Sequence, residues 1–577
     1  MKRCPACKRV EPDDALVYCR ADGTPLVSDS GSVRADAGTV KFSSARVASE
    51  IETGILPQMV TDADISRASG PTTVLDPQQT ISRTRELSRP NRTKAIVFVA
   101  AVVFIAAIAV SAYFYLSRKN SAAIKSVAVL PFINESGNAD VEYLSDGMTE
   151  SLISSLSQIP KLNVKARSSV FRYKGKSTNM QTIGKELNVQ AILNGRVVQR
   201  GQDLILYVEL VDAATENVLW KQTYNKTMTN LVALQNDIAR DVADKLRVKL
   251  SGADEQKLAK NYTMNPEAYQ FYLRGRFYWN KRTAQDLQKA LEYFSQAIAL
   301  DRNYALAYSG VADCFVLLSN MGGAMPREGM LKAREAALTA LSLDDHLAEA
   351  HASLGIILCD YDYDFAGAER EYQRAIELNP NYATAHHFYG NLLSHLGKPD
   401  DSFAEFQRAL ELDPLSLVVN RMYGESLFYA RRYDESIAQL LKTLELNSNF
   451  TLTHLSLSNA YQLKGNYAAA VEEFAKEEDV KNKFEDAALV RESFAKGGWP
   501  GFLRAMTGPH RPEHLEFYGV ARFQAALGEK DQAFAELNKS YEKRENSLVS
   551  LKVDPRLDSL RDDPRFAELM RRMGLTQ

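Results

Sequence analysis

The chain has 577 residues, a formal net charge of −2, 45% hydrophobic residues and 25% charged ones. That length accommodates several domains. The near balance of charge leaves no basic footprint, which argues against a nucleic-acid partner.

The chain opens on residues 1–27, where Cys4 and Cys7 form a Cys-x2-Cys pair and Cys19 and Asp22 follow. Zinc takes four ligands in a tetrahedron, and thiolates presented from tight turns suit it. The segment resembles a short zinc ribbon, whose second knuckle would be another Cys-x2-Cys; here the fourth position is Asp22. The candidate ligands are therefore Cys4, Cys7, Cys19 and Asp22, with Zn as the cofactor; an incomplete or empty site is the alternative. Three cysteines leave one over for any disulfide, and a ribbon this small builds no core without metal. Residues 28–94 are rich in Ser, Thr, Arg, Asp and Pro with few aromatics, and are expected to be a disordered linker.

Residues 95–116, AIVFVAAVVFIAAIAVSAYFYL, run for 22 residues without a charge. At 1.5 Å per residue they reach about 33 Å, enough for a bilayer core of about 30 Å. Tyr113 and Tyr115 sit at one end, as interfacial aromatics do. Five basic residues before the span (Arg83, Arg85, Arg89, Arg92 and Lys94) face three after it (Arg118, Lys119 and Lys125). The bias predicts a single-pass transmembrane helix with residues 1–94 in the cytoplasm and 117–577 outside it.

Residues 117–250 change character. IKSVAVLPF (124–132) reads as a strand, Ser145-Asp-Gly as the cap of a helix running to about Ile159, and LNVKAR (162–167) as a strand. A helix over 179–189, a strand over 190–201, two strands over 204–220 and an amphipathic helix over 230–250 follow. Alternating strands and helices argue an α/β layer domain. AVLPFINESGN, YLSDGMTESLISSLS, VKARSSVF, IGKELNVQAILNGRV and LVDAATENVLW resemble the TolB-like (FlgO-type) domain. That family is found outside the membrane in bacterial signalling proteins, often ahead of tetratricopeptide repeats; the resemblance implies an inner-membrane protein.

Signals for catalysis fail. YKGKST (173–178) imitates the end of a phosphate loop, but the leading glycine would fall on Val170. All eight histidines lie between His346 and His514; none stands at HExxH spacing, and His386 and His395 fall on opposite helix faces. An enzyme is not expected, the alternative being an unrecognised site in 124–250.

From about 264 to the end, small residues recur at a fixed period. Gly355, Gly390, Gly424 and Ser458 are separated by 35, 34 and 34 residues, and Gly275 and Gly310 by 35. Each is embedded in apolar residues at helical spacing: Phe388, Tyr389, Leu392, Leu393 and Leu396 before Gly397-Lys-Pro-Asp, then Phe403, Phe406, Ala409, Leu410 and Leu412. The period predicts stacked helical hairpins, each needing neighbours to bury its face. Leu354-Gly355, Tyr372, Ala375 and Pro380, with their counterparts around Gly424 and Ser458, resemble the tetratricopeptide repeat. Six to eight units fit, followed by a charged capping helix over 553–575. Cys314 and Cys359 fall in first helices as small buried side chains.

In that family ligands lie along the concave face, lined by the first helix of each hairpin. The resemblance carries this onto Thr384, His387, Asn391, Ser394, Arg421, Glu425, Tyr429, Asn459 and Gln462. The lysines of the family's carboxylate clamp are missing, so the clamp is not carried over.

The sequence thus implies a multidomain chain: a small zinc ribbon, a linker, one transmembrane helix, an α/β TolB-like domain and an all-α tetratricopeptide superhelix over 264–577. It reads as a membrane-anchored scaffold or receptor for a protein or peptide, able to signal across the membrane if it forms a homodimer. An envelope assembly factor without signalling is the alternative.

Overall fold

The structure is a computed structural model that describes residues 2–3, 10–11, 27–28, 123–248, 250–320 and 326–575. The proposed ligands Cys4, Cys7, Cys19 and Asp22, the linker (apart from Ser28) and the apolar span 95–116 lie outside them. Among the described residues no helix is long and apolar enough to cross a membrane. The chain divides into two units, 1–98 and 99–577. The first contributes strands β1 (Lys2–Arg3), β2 (Val10–Glu11) and β3 (Val27–Ser28), antiparallel in the order β2-β1-β3.

The second unit begins with a mixed sheet. Its strands are β4 (Ser126–Val129), β5 (Ile133–Asn134), β6 (Asn163–Val164), β7 (Ala191–Arg200), β8 (Asp203–Asp212) and β9 (Val218–Thr227). The order is β6-β4-β7-β8-β9, with β5 also on β7. β4 runs parallel to β6 and β7, while β7, β8 and β9 form an antiparallel meander. Alternate residues of β8 (Leu204, Leu206, Val208 and Leu210) are buried, the two-residue period of a one-sided sheet. Helices α1 (Glu142–Ser157), α2 (Arg167–Val170), α3 (Met180–Leu187) and α4 (Leu231–Lys245) complete the layer. Two expectations change here. Ser145 lies inside α1 and is fully buried, its hydroxyl donating back to Glu142 O at 3.0 Å rather than capping the helix. The strand expected over 162–167 shortens to β6, because Arg167 already starts α2.

After α5 (Gly252–Leu258) come the hairpins α6/α7 (Pro266–Trp279, Ala284–Leu300), α8/α9 (Ala305–Asn320, Pro326–Leu343), α10/α11 (Ala348–Ile357, Phe365–Leu378), α12/α13 (Ala383–His395, Pro399–Leu412), α14/α15 (Leu417–Tyr429, Tyr433–Leu446) and α16/α17 (Thr451–Leu463, Tyr467–Val480). α18 (Phe484–Thr507) breaks at Gly498, whose φ of 58° is left-handed, and α19/α20 (Phe517–Leu527, Lys530–Lys543) is the last hairpin. Gly355 and Gly424 sit where the two helices of a hairpin touch. A Cβ on Gly355 would lie 2.5 Å from the Tyr372 ring, and one on Gly424 would lie 2.7 Å from Leu440 Cγ. Closer than van der Waals contact, only glycine fits.

The α/β layer and the array share one core. Ala268, Tyr269, Leu273 and Tyr304 of the first repeats pack with Leu144, Leu152 and Leu156 of α1. The layer also binds three successive turns between hairpins, and the segment that follows it binds one more. Lys260, just beyond α5, pairs with Asp344 at 2.6 Å. Asn381 Nδ2 donates to Ser157 O and Ile159 O, both at 2.9 Å. Ser169 Oγ donates to Asp413 Oδ1 at 2.6 Å, and Ala166 N to Leu412 O at 2.9 Å. Arg172 Nη2 donates to Leu446 O at 3.0 Å. An ion pair fixes the joint at its base: Arg276 Nε of α6 donates to Glu150 Oε1 of α1 at 2.8 Å, and Arg276 Nη1 reaches Asp313 at 3.3 Å.

Candidate functional site

First helices of successive hairpins present one stripe each to a shared channel. The stripe follows residues four apart, which stay on one side of a helix. In α12 it is His387, Asn391 and His395; in α14 it is Arg421, Glu425 and Tyr429; in α16 it includes Asn459 and Gln462. These enclose a cavity of about 530 Å3 with Trp499, Phe502 and Phe523 among its apolar walls. Seven of the nine residues expected on the concave face are brought together here. Thr384 and Ser394 are not. Ser394 is buried beside the stripe, one helical step off, and His395 takes the place expected for it. Thr384 lies a turn earlier, bonded to the Tyr382 side chain.

The far wall comes from the end of the chain. Beyond α20, Asn546–Ser550 and Pro555–Leu560 form short 3-10 turns ahead of α21 (Pro564–Arg572), and the segment folds back on the middle of the array. Leu548, Leu551, Leu557 and Leu560 share a core with Tyr363, Tyr372 and Leu392. Arg431 holds Asp558 through two hydrogen bonds of 2.6 and 2.9 Å. The expected charged cap is therefore partly interior: Asp554 is fully buried and Arg556 is 8% exposed. Asn546, Ser550 and Arg556 line the channel.

Burial sets the charge states within. It holds the imidazoles of His387 and His395 down to about 3 and about 4, the nearby Arg421 adding to the effect on His387. Both are neutral at pH 7. Burial pushes the Tyr429 hydroxyl up to about 12 and the Asp360 carboxyl up to about 6. Glu477 is tied to Lys481 at 2.7 Å and Glu478 to His514 at 3.0 Å.

Outside the channel the histidines do a different job. His386 Nδ1 bonds Glu405 at 2.5 Å and Nε2 bonds Pro380 O at 3.0 Å. His351 and His454 repeat the arrangement with Glu371 and Glu473 and with Asp345 O and Ser448 O. Asn420 stands in between, donating to Pro414 O and accepting from Gln439 at 2.8 Å. Each clasp ties the two helices of a hairpin to the preceding turn. Among the described residues two sets bring metal-binding atoms within 4.8 Å of each other, Asp344-Asp345-His346 and Glu478-Asp486-His514. The second has the Lys481 ammonium 3.7 Å from Glu478, a charge that competes with a cation. Cys314 and Cys359 are buried free thiols, raised by burial and so unreactive.

Residues 123–241 match the model of the HilA/YgeH-like transcriptional regulator, second domain, and residues 363–416 match a tetratricopeptide-repeat model. Over 235 residues the chain is 29% identical to putative adenylate cyclase 3 of Rhizobium meliloti (strain 1021), covering 40% of each protein. Over 207 residues it is 24% identical to the transcriptional regulator HilA of Salmonella typhimurium (strain LT2), covering 36% of each. The chain thus spans less than half the length of these curated relatives. Among solved structures, YrrB, described as a TPR protein with an unusual peptide-binding site, aligns at 21% identity with a TM-score of 0.25, over 34% of this chain and 97% of that one. PilW, a type IV pilus biogenesis factor, aligns at 17% identity with a TM-score of 0.31, over 38% and 98%. The tetratricopeptide-repeat match falls on α11, α12 and α13, within the helical array.

Proposed function

We propose that the chain is a membrane-anchored, non-enzymatic scaffold or receptor that holds a segment of a partner protein in the channel of its repeats. The observation that carries this reading is the convergence of α12, α14 and α16 on one cavity of about 530 Å3, which falls in the size range of ligand clefts. Amide side chains (Asn391, Asn459 and Gln462) beside aromatic walls suit a peptide, which offers both backbone polar groups and apolar side chains. The test is site-specific photocrosslinking in the intact membrane-bound chain. A photoreactive residue at Asn459 is expected to yield a discrete protein adduct, and one at the exposed Glu492 is expected to yield none. Equal labelling at both positions removes the channel from the reading.

In this proposal residues 117–250 are a TolB-like module, 95–116 the transmembrane helix and 1–27 a zinc-binding knuckle on the cytoplasmic side. The names of the two curated relatives, a transcriptional regulator and a putative adenylate cyclase, favour a regulatory protein over a purely structural one. Occupancy of the array would then be relayed to the knuckle, which for a single helix requires a homodimer. Zinc at one equivalent per chain, lost on Cys4→Ser, is the expected metal content; a full equivalent surviving that change removes the knuckle from the scheme.

A further inference from the structure

A second enclosed space lies at the seam between the α/β layer and the array. It measures about 90 Å3. On one side it is bounded by α1, α4 and the stretch around the end of α5, on the other by α6, α8 and α10, the first helices of three hairpins. Three acids and three bases line it: Glu150, Asp313 and Glu349 against Lys257, Lys260 and Arg276. Five of the six are engaged. Arg276 bonds Glu150 at 2.8 Å and Asp313 at 3.3 Å. Lys260 pairs with Asp344 at 2.6 Å, and Lys257 Nζ donates to Leu378 O at 3.2 Å. Glu349 is the exception. Among the described residues it has no ion pair, and its carboxylate is held only by the Ser154 hydroxyl at 3.4 Å.

A second polar group of the wall is open. Ser309 is 2% exposed, and its Oγ is buried without a partner. A buried hydroxyl left unpaired has lost the hydrogen bond that water gave it, and an enclosed acid without a counter-ion loses more. Burial works against ionisation of Glu349, while the charges of Arg276 and Asp313 act on it in opposite senses. Much of the remaining wall is aromatic: Tyr262, Tyr269, Tyr272 and Tyr304 line the space, with the rings of Tyr272 and Tyr304 5.3 Å apart. Ring faces attract cations. Lys260 already sits this way, its ammonium 5.1 Å from the centre of the Tyr262 ring.

An unmatched carboxylate, an open hydroxyl and aromatic rings together suit a cation that donates hydrogen bonds. Size narrows the choice. A cavity of about 150 Å3 holds a six-carbon ring, so one of about 90 Å3 admits only a few heavy atoms. We propose that this cavity binds a small primary ammonium ion, held by Glu349 and the Ser309 hydroxyl against the tyrosine wall. A primary ammonium carries three donors, enough for both acceptors. The ion would touch the layer and the first repeats at once. The site is separate from the channel of α12, α14 and α16, and the proposal stands whatever that channel holds.

The test is thermal melting of the purified full chain in detergent, with ethylammonium chloride as the probe and sodium chloride and ethanol as controls at equal concentration. Ethylammonium is expected to raise Tm along a saturating curve, and neither control should. In Glu349→Gln the apparent Kd should weaken on the order of ten-fold or more, the worth of a hydrogen bond to a charged group. The unliganded Tm of that variant should equal or exceed wild type, because an uncompensated acid has been removed. Glu349→Asp keeps the charge, should keep part of the response, and serves if the Gln variant folds poorly; complete loss there overturns the proposal. Ser309→Ala should weaken binding by a smaller factor. Sodium matching ethylammonium would reduce the effect to salt screening, and ethanol matching it would leave a cavity with no charge preference; either result overturns the proposal. So does a response that survives Glu349→Gln, or no response in the wild-type chain, which makes the contents water only.

Discussion

His454 shows how one residue's environment becomes a pH dependence. It is buried, and its hydrogen bond to Glu473 raises its pKa above the usual imidazole value despite the opposing effect of burial. A group whose folded pKa is raised stabilises the fold fully below its unfolded pKa, about 6.5, and loses that contribution as pH climbs through the folded value. Glu473 carries the opposite sign. Burial works against its ionisation, yet hydrogen bonds from His454 and Lys476 outweigh it and hold the pKa low. Its contribution is therefore present above about pH 4.3 and fades in more acid solution. His454→Gln is expected to flatten the fall in Tm as pH rises from about 6.5 through the raised folded value; a fall as steep as wild type there refutes the clasp. The clasp has a spacing in the sequence. His351, His386, Asn420 and His454 each stand four residues before the periodic small residue, so they share its spacing. A hydrogen bond to a turn carbonyl leaves no motif of its own beyond that spacing.

Helices and their register were the most legible level. Apolar periodicity and the recurring glycine located the hairpins, because a close helix contact imposes both. The choice of channel residues was less secure, since one helical step separates His395, in the wall, from Ser394, buried beside it. Arg522 and Arg556 were not foreseen, because they reach the channel from the last hairpin and from a tail that reads as solvated charge. The joint between layer and array was invisible for a related reason. Asn381 and Asp413 look like ordinary turn residues after a helix, and their partners are more than 200 positions away. Asp413 is buried and accepts from both Ser168 and Ser169. Asp413→Ala leaves those hydroxyls and the nearby turn unsatisfied, so a loss of roughly 1–3 kcal/mol is expected in urea unfolding. A loss below about 0.5 kcal/mol, the ordinary range for surface changes, would show that the turn does not hold the layer.

At the scale of the molecule, the described part of 99–577 is one body where the sequence suggested two domains in series. A core shared by α1 and α6, with an ion pair across the same seam, means that neither the layer nor the first repeats unfold without exposing the other. Calorimetry of the full chain is expected to show one transition for these parts; two well-separated ones would contradict the shared core. Repeat arrays ordinarily behave as springs, each unit joined only to the next, so that pitch and curvature fluctuate freely. Here the α/β layer is fastened to three turns in succession, from Asn381 to Leu446. It acts as a splint along the spring. The width of the channel is then set by a domain that forms no part of its wall, and any event that reshapes that domain must pass into the grip on whatever the channel holds.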